Sequence, residues 1–327
     1  LNNRLNFVID YYYKKTTDLL QYAFIPLSTG FSSIATNYGN VENKGLEISG
    51  NFGIIQQRDF TWKMDANIAF NRNKISGLDA DQFSDVVWGL ESMFLRRNGY
   101  AIGTIYGYQE KGFYDNEAEV RADPAYKNES DAKIKSMIGQ VKYRDNNGDG
   151  VIDDRDKAII GNTNPDFIYG VTNTLTYKNW TFSFFFQGIS GNDILNTNLR
   201  SFDLASSTNM PQFVWDNRWT PDNKQNAQYP RADITFTRSL KASDRLVDNG
   251  SYLRLRNVSL GYRWDRPIKQ ISSLNFNLSA NNLLTVTKYK WYDPDVNAFG
   301  SDPARRGVDM ASYPSAQTFT FGVQVAF

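Results

Sequence analysis

The chain has 327 residues, 36 Lys and Arg against 35 Asp and Glu, 15% aromatic residues, and neither Cys nor His. Without His or Cys, serine–histidine and cysteine–histidine catalysis, disulfides and Cys-based zinc sites are excluded, leaving only carboxylate pairs for acid–base work. The balanced charge offers no basic footprint for nucleic acid; no apolar run reaches the about 18 residues of a membrane helix, a limit that leaves a β-barrel open.

In chain order, residues 4–16 place Leu5, Phe7, Ile9, Tyr11 and Tyr13 on one face of a strand of period two. No signal peptide opens the chain, and residue 1 starts inside this alternating segment, as expected of a mature fragment. Polar, Gly-containing sequence over 18–40 reads as a loop. Residues 45–55 set Leu46, Ile48, Phe52 and Ile54 against Glu47, Ser49, Asn51 and Gly53. After a turn at 56–59, Phe60, Trp62, Met64, Ala66, Ile68 and Phe70 oppose Thr61, Lys63, Asp65, Asn67 and Asn71.

The alternation then loosens over 76–165, an excursion holding an extra hairpin within 94–113. It resumes with Phe167, Tyr169, Val171, Leu175 and Tyr177, a two-residue turn at 178–179, and Trp180, Phe182, Phe184 and Phe186. A second excursion covers 188–250. Next, Val258, Leu260, Tyr262 and Trp264 share a face, while Leu253 and Leu255 fall on the other. That switch near Arg256 reads as a bulge or as the strand leaving the membrane. A link over 265–273 precedes Leu274, Phe276, Leu278 and Ala280; a loop over 288–315 precedes Phe319, Phe321, Val323, Val325 and Phe327.

Eight spans thus alternate short and long connections. Outer-membrane barrels have short periplasmic turns and long outer loops, so both excursions are expected outside and both chain ends on the periplasmic side. The hairpin within 94–113 is placed above the membrane, because a crossing there would force residues 114–165 to the periplasmic side. Turning Lys63 to lipid would cost about 2–4 kcal/mol near the midplane, which fixes the apolar face as the outer one. A soluble β-sandwich also alternates, but its strands are shorter and its loops more regular.

One motif stands out in the first excursion. Asp145, Asn147, Asp149, Val151, Asp153 and Asp156 occupy positions 1, 3, 5, 7, 9 and 12 of an EF-hand-type calcium loop, with Gly150 at the sharp turn and the Val151 carbonyl as a donor. Position 12 is Asp where the EF-hand has Glu, so its reach is shorter. The Gly and Pro residues and the strand after the loop exclude helix–loop–helix. Two readings stand side by side: a calcium site that stiffens an outer loop, and a solvated acidic loop built on Asx turns.

The string from Tyr143 to Gly170 and the Phe-rich strand ending Phe186-Gln187-Gly188 resemble the SusC/RagA family of TonB-linked outer-membrane proteins. So do Arg218-Trp219-Thr220 with Tyr229-Pro230-Arg231, Tyr252 to Asn257, Asn281-Asn282-Leu283 and the terminal Phe319 to Phe327. This resemblance covers nearly the whole chain and implies an all-β fold: an antiparallel transmembrane β-barrel, of which residues 1–327 are the C-terminal eight or so strands. The full receptor would have about 22 strands, with long extracellular loops and a plug domain upstream. It further implies location in a bacterial outer membrane, in contact with its lipid, and energised import of glycan oligosaccharides or peptides without catalysis. The implied partners are a SusD-like surface lipoprotein that covers the barrel and the TonB complex, reached through the N-terminal region. Whether two such pairs associate as a dimer stays open.

Trp88, Trp215, Trp219, Tyr229, Trp291 and Tyr292 fall in outer loops. Trp215, Trp219, Trp291 and Tyr292 are candidates for stacking on substrate, with packing between loops as the alternative. Inward polar residues, among them Glu47, Lys63, Asp65, Asn67, Gln187, Asn275, Asn277 and Gln324, are expected to line the lumen or face the plug; nothing fixes Glu47 and Asp65 as a hydrolytic pair. The rival classes are an autonomous small barrel, passive or adhesive, and a soluble calcium-dependent binding module with dockerin-like acidic spacing.

Overall fold

The computed structural model describes residues 4–24, 27–31, 33–37, 39–84, 92–199, 209–232 and 241–327. Its frame is one eight-stranded antiparallel sheet in which each long strand pairs with the next. We number these β1 (Leu5–Thr16), β2 (Asn40–Gln56), β3 (Phe60–Ser76), β4 (Phe167–Tyr177), β5 (Trp180–Ser190), β6 (Tyr252–Ile268), β7 (Ile271–Thr287) and β8 (Thr318–Ala326). The sheet is open, with β1 and β8 as its edges, as expected of a segment of a larger barrel.

Register sorts the two faces. Ile9, Ile48, Ile68, Tyr169 and Gly188 lie in one cross-strand row, and Ala66, Val171 and Phe186 in the next. Asn51, Asp65 and Thr172 form a row on the opposite face. A one-residue slip anywhere would exchange these rows, so the sharp sorting of the sequence pins the register. Towards the short-turn end, Trp180 and Tyr262 pack with ring centroids 4.6 Å apart and planes tilted by 45°. Tyr177 pairs with Trp180, giving an aromatic girdle of the kind that marks a membrane interface.

The face switch at Arg256 is a bulge. Pairing jumps from Asn257 opposite Phe185 to Leu255 opposite Phe186, leaving Arg256 as the extra residue. The facing strand jumps too, from Asn281 to Leu284. There Asn282 takes φ 56°, a left-handed conformation that Asn tolerates, and accepts a 3.1 Å hydrogen bond from Arg256. The double irregularity returns Leu253, Leu255, Leu284 and Val286 to the outer face, where their alternation matches the rest.

Two sequence readings change. The link over 265–273 is a turn of only two residues, 269–270, because Ile268 pairs with Ile271. An irregularity between Asp265 and Ile268 takes up Arg266, at φ 48°, and Pro267, which has no N–H for a regular ladder. The 18–40 loop contains a hairpin of Leu20–Phe24 with Ser33–Asn37. Several strands also exceed expectation: β2 and β3 run to 17 residues each, beyond the about 9–11 that cross a membrane, so their polar ends stand above it.

Opposite the short turns, the long connections fold into a body of their own. A four-stranded sheet of Gln82–Ser84, Phe94–Arg96, Thr104–Gly107 and Ala158–Asn162 contains the expected hairpin. Its core joins Met93, Phe94 and Ile105 to Leu195, Leu199, Ala242 and Leu246 from the second excursion and Val308 from the last loop. A smaller cluster of Tyr114, Val120, Ile134 and Met137 lies beside helices α1 (Glu117–Ala122) and α2 (Asp131–Met137), capped by Asn116 and Ser130. Burying side chains from three separate loops in one core fixes the loops against each other.

Candidate functional site

The outer body carries the residues singled out by the sequence. In the acidic loop the carboxylates organise backbone first. Asp145 accepts from the N–H groups of Gly148 at 2.6 Å and Gly150 at 2.8 Å, and Asp149 accepts from Val151 at 2.9 Å. These bonds, led by that from Gly150, hold the Asp145 carboxyl below the usual carboxylate range. Asp156 is fully buried: Oδ1 accepts from Asn146 N–H and Oδ2 from Asp153 N–H, both at 2.9 Å. Its burial is therefore tolerated because donors surround it.

Arg155 closes the loop, its guanidinium 2.7 Å from both Asp149 and Asp153. Among the described residues, no group of three acidic side chains is gathered as metal ligands. The six predicted positions do lie in one compact turn. Liganding by Asp149 and Asp153 requires Arg155 to leave. Gly150 presses on Pro124, where an added Cβ would sit 2.6 Å from that ring, so the loop is braced against the segment just after α1.

The four candidate aromatics separate. Trp219 is only 3% exposed, donates its indole N–H to Asp115 at 2.9 Å, and lies against Gly139. Its backbone N–H bonds Tyr229 O, joining the two short motifs of the second excursion. Trp215 is exposed on the helix Gln212–Asp216, with the Arg218 guanidinium 3.4 Å above its ring. Trp291 meets Tyr292 edge to face at 5.0 Å, and Tyr292 is 73% exposed. Trp219 is thus placed as a packing residue, and Trp215 and Tyr292 present open ring surface. Trp88 lies outside the described residues.

Residues not singled out from the sequence hold this body together, and Arg254 ties it to the barrel. Arg254 on β6 is buried, and bonds Thr285 at 3.0 Å, Ser315 at 3.1 Å and Asp293. Tyr289 donates to the buried Asp309 at 2.6 Å, and Asn196 donates to Asp248 at 3.1 Å. Glu110 and Arg245 pair across 135 residues, with both side chains largely enclosed. The tract Tyr252 to Asn257 hinted at Arg254; its distant partners left no local signal.

The lumen face is polar. Asp10, Glu47, Asn67, Gln187 and Arg306 line a cavity of about 570 Å³ on that side of the sheet. Asp65 accepts a hydrogen bond from Asn51 and sits in a row other than that of Glu47, which faces Asp10 and Ala69.

No family model matches the chain. TonB-dependent receptor P26 of Formosa agariphila is 33% identical over all of this chain, which covers 33% of that protein. TonB-dependent receptor P3 of the same organism is 35% identical, with the same coverage. TonB-dependent receptor SusC of Bacteroides thetaiotaomicron is 29% identical over all of this chain and 30% of its own length. The RagAB peptide importer in its open-open state superposes with a TM-score of 0.76 at 24% identity, over all of this chain and 33% of that one, a likeness of fold. The chain spans about a third of the length of the curated relatives it matches.

Proposed function

The chain belongs to the SusC/RagA family of TonB-linked outer-membrane proteins, and from that premise we propose that the whole protein is a TonB-dependent nutrient importer. In this reading the chain supplies about a third of the barrel wall and a folded outer body. The observation that carries it is the division of labour in the sheet: an apolar outer face, a polar inner face, and loops packed together at one end, three of them around a shared core. A wall of this kind suits a wide, wet lumen, and a preformed outer body suits docking of a cap.

The imported solutes are glycan oligosaccharides or peptides, and a SusD-like surface lipoprotein covers the outer body. Peptide as a solute is in keeping with the RagAB peptide importer, whose fold this chain shares; the glycan and the lipoprotein follow from the family resemblance of the sequence. TonB engages a region outside this chain. The protein moves solute without altering it. The loop carrying Asp145 to Asp156 is a calcium site by its residue spacing, and metal there would replace Arg155 between Asp149 and Asp153.

Uptake of labelled oligosaccharides and peptides by cells that rely on the full-length receptor tests this reading. Uptake should stop when TonB is deleted or the lipoprotein is removed. Undiminished uptake in the TonB deletion would leave a passive barrel instead.

A further inference from the structure

A cavity of about 480 Å³ opens between α2 and the acidic loop. That volume falls within the range of small-ligand sites. Its walls are mostly apolar: Met137, Val141 and Ile152, with the rings of Tyr114, Tyr126 and Tyr143. Among the described residues, the charged side chains lining it are two lysines, Lys133 and Lys241.

Gln140 gives the cavity its chemical character. It is 2% exposed and lines the cavity, and among the described residues neither its amide N–H₂ nor its amide oxygen has a hydrogen-bond partner. The backbone explains its placement but not its identity. Gln140 N–H bonds Met137 O at 2.9 Å as α2 ends, and Gln140 O accepts from Tyr114 at 3.1 Å. Gly139 makes the turn at φ 78°, crowded by Trp219 and Arg231. An apolar side chain here would satisfy packing at no polar cost, whereas a buried amide left unbonded opposes folding. A primary amide can donate to one group and accept from another at once. A ligand that meets it must offer both.

We propose that this cavity is a binding site for the carboxyl-terminal end of a short peptide. The chemistry has three parts. The Gln140 amide pairs with the N–H and C=O of one peptide residue, the apolar wall takes that residue's side chain, and Lys241 faces the carboxylate. Lys241 is held beside the ring of Tyr108, 4.4 Å from its centroid, so the positive charge has a fixed post. The predominance of apolar wall over polar groups favours a peptide end over a sugar ring, which presents hydroxyls on every side. This deepens the importer reading and rests on it only for the cavity's being outside the membrane.

The test uses the full-length receptor in detergent, with acetyl-alanyl-leucine as probe and its carboxamide and a glucuronate disaccharide as comparators, read by saturation-transfer NMR and calorimetry. The acid should bind, and the carboxamide and the sugar at least tenfold more weakly. Gln140→Leu should weaken binding at least tenfold while leaving the thermal melt unchanged or raised, because the amide it removes bonds nothing among the described residues. Lys241→Gln should bring the acid and the carboxamide to equal affinity. Unchanged binding in Gln140→Leu, or preference for the sugar, overturns the proposal. No TonB takes part, so a negative result here leaves the uptake experiment standing, and failed uptake leaves this one standing.

Discussion

Arg254 and Asp293 form a buried ion pair at the joint between strand β6 and the last long loop. Arg254 projects from the inner face just beyond the Arg256 bulge, in the row of Gln187 and Thr285. Asp293 also accepts from the N–H groups of Asp295 at 2.9 Å and Ser315 at 2.8 Å, so one carboxylate gathers both ends of the loop onto the barrel rim. Removing either partner leaves an uncompensated buried charge, which costs about 3–5 kcal/mol. Asp293→Ala should therefore lower the melting temperature of the detergent-solubilised receptor and expose residues 288–317 to protease. The double change Arg254→Met with Asp293→Leu should restore most of the loss. Equal protease resistance in the single variant would show that the pair does not anchor the loop.

The same carboxylate sets an acid limit. Burial pushes the Asp293 carboxyl up, but the Asp295 and Ser315 N–H groups and Arg254 outweigh it and hold it below the usual range. A folded value below the unfolded one, about 3.9, means the stabilisation is complete above that pH and is lost as pH falls through the folded value. Proteolysis of the 288–317 loop should be flat from pH 7 to about 5 and rise only below about 4. In Asp293→Asn the loop should already be open at neutral pH and show no such acid step.

Trp62 and Asn173 make the polar contact within the apolar face. Asn173 stands in register between Met64 and Phe184, and accepts the Trp62 indole N–H at 2.9 Å. Next to lipid an unpaired N–H has no water to turn to. Asn173→Leu should destabilise the folded barrel by about 1–3 kcal/mol in urea titrations from vesicles. Adding Trp62→Phe should recover part of that, because both polar groups are then gone. A neutral Asn173→Leu would mean that water reaches the indole.

Legibility in the sequence depends on the range of the contacts. The long strands were legible because one face meets lipid and the other water, so every residue of β3 from Phe60 to Phe70 declares its side. The Arg256 bulge was legible for the same reason, as a break in that parity. Of the outer body little was: the hairpin of Phe94–Arg96 with Thr104–Gly107 could be expected, but Gln82–Ser84 is too short to show a period. Its core joins Met93 to Leu195 and Val308, contacts that local sequence cannot encode. Trp219 and Trp215 look alike in sequence, yet only the partner Asp115, 104 residues away, makes the first a buried packing residue. Gln140 carried no sign of its burial at all.

The register also predicts where a charge can be added. Val171 lies on the outer face between Ala66 and Phe186, and its neighbour Thr172 lies on the inner face opposite Asp65. Val171→Lys should cost about 2–4 kcal/mol if it lies near the midplane, whereas Thr172→Lys should be tolerated beside the carboxylate. Measured by heat modifiability on gels, only the first should shift the unfolding temperature. Equal shifts would mean that the two faces are not lipid and lumen.

Calcium in the acidic loop, as proposed, would compete with Arg155 for the same oxygens. The guanidinium holds Asp149 and Asp153, which are positions 5 and 9 of the calcium spacing, while Asp145 and Asp156 are already shaped by backbone N–H groups. Binding of calcium must break two exposed ion pairs, each worth little, about 0–1 kcal/mol. Arg155→Gln should therefore raise calcium affinity several-fold, and Asp149→Ala should abolish calcium-dependent protection of the loop from protease. If the unaltered receptor and Arg155→Gln are both cut at the same rate in calcium and in chelator, the acidic loop is a set of Asx turns closed by Arg155 and holds no metal.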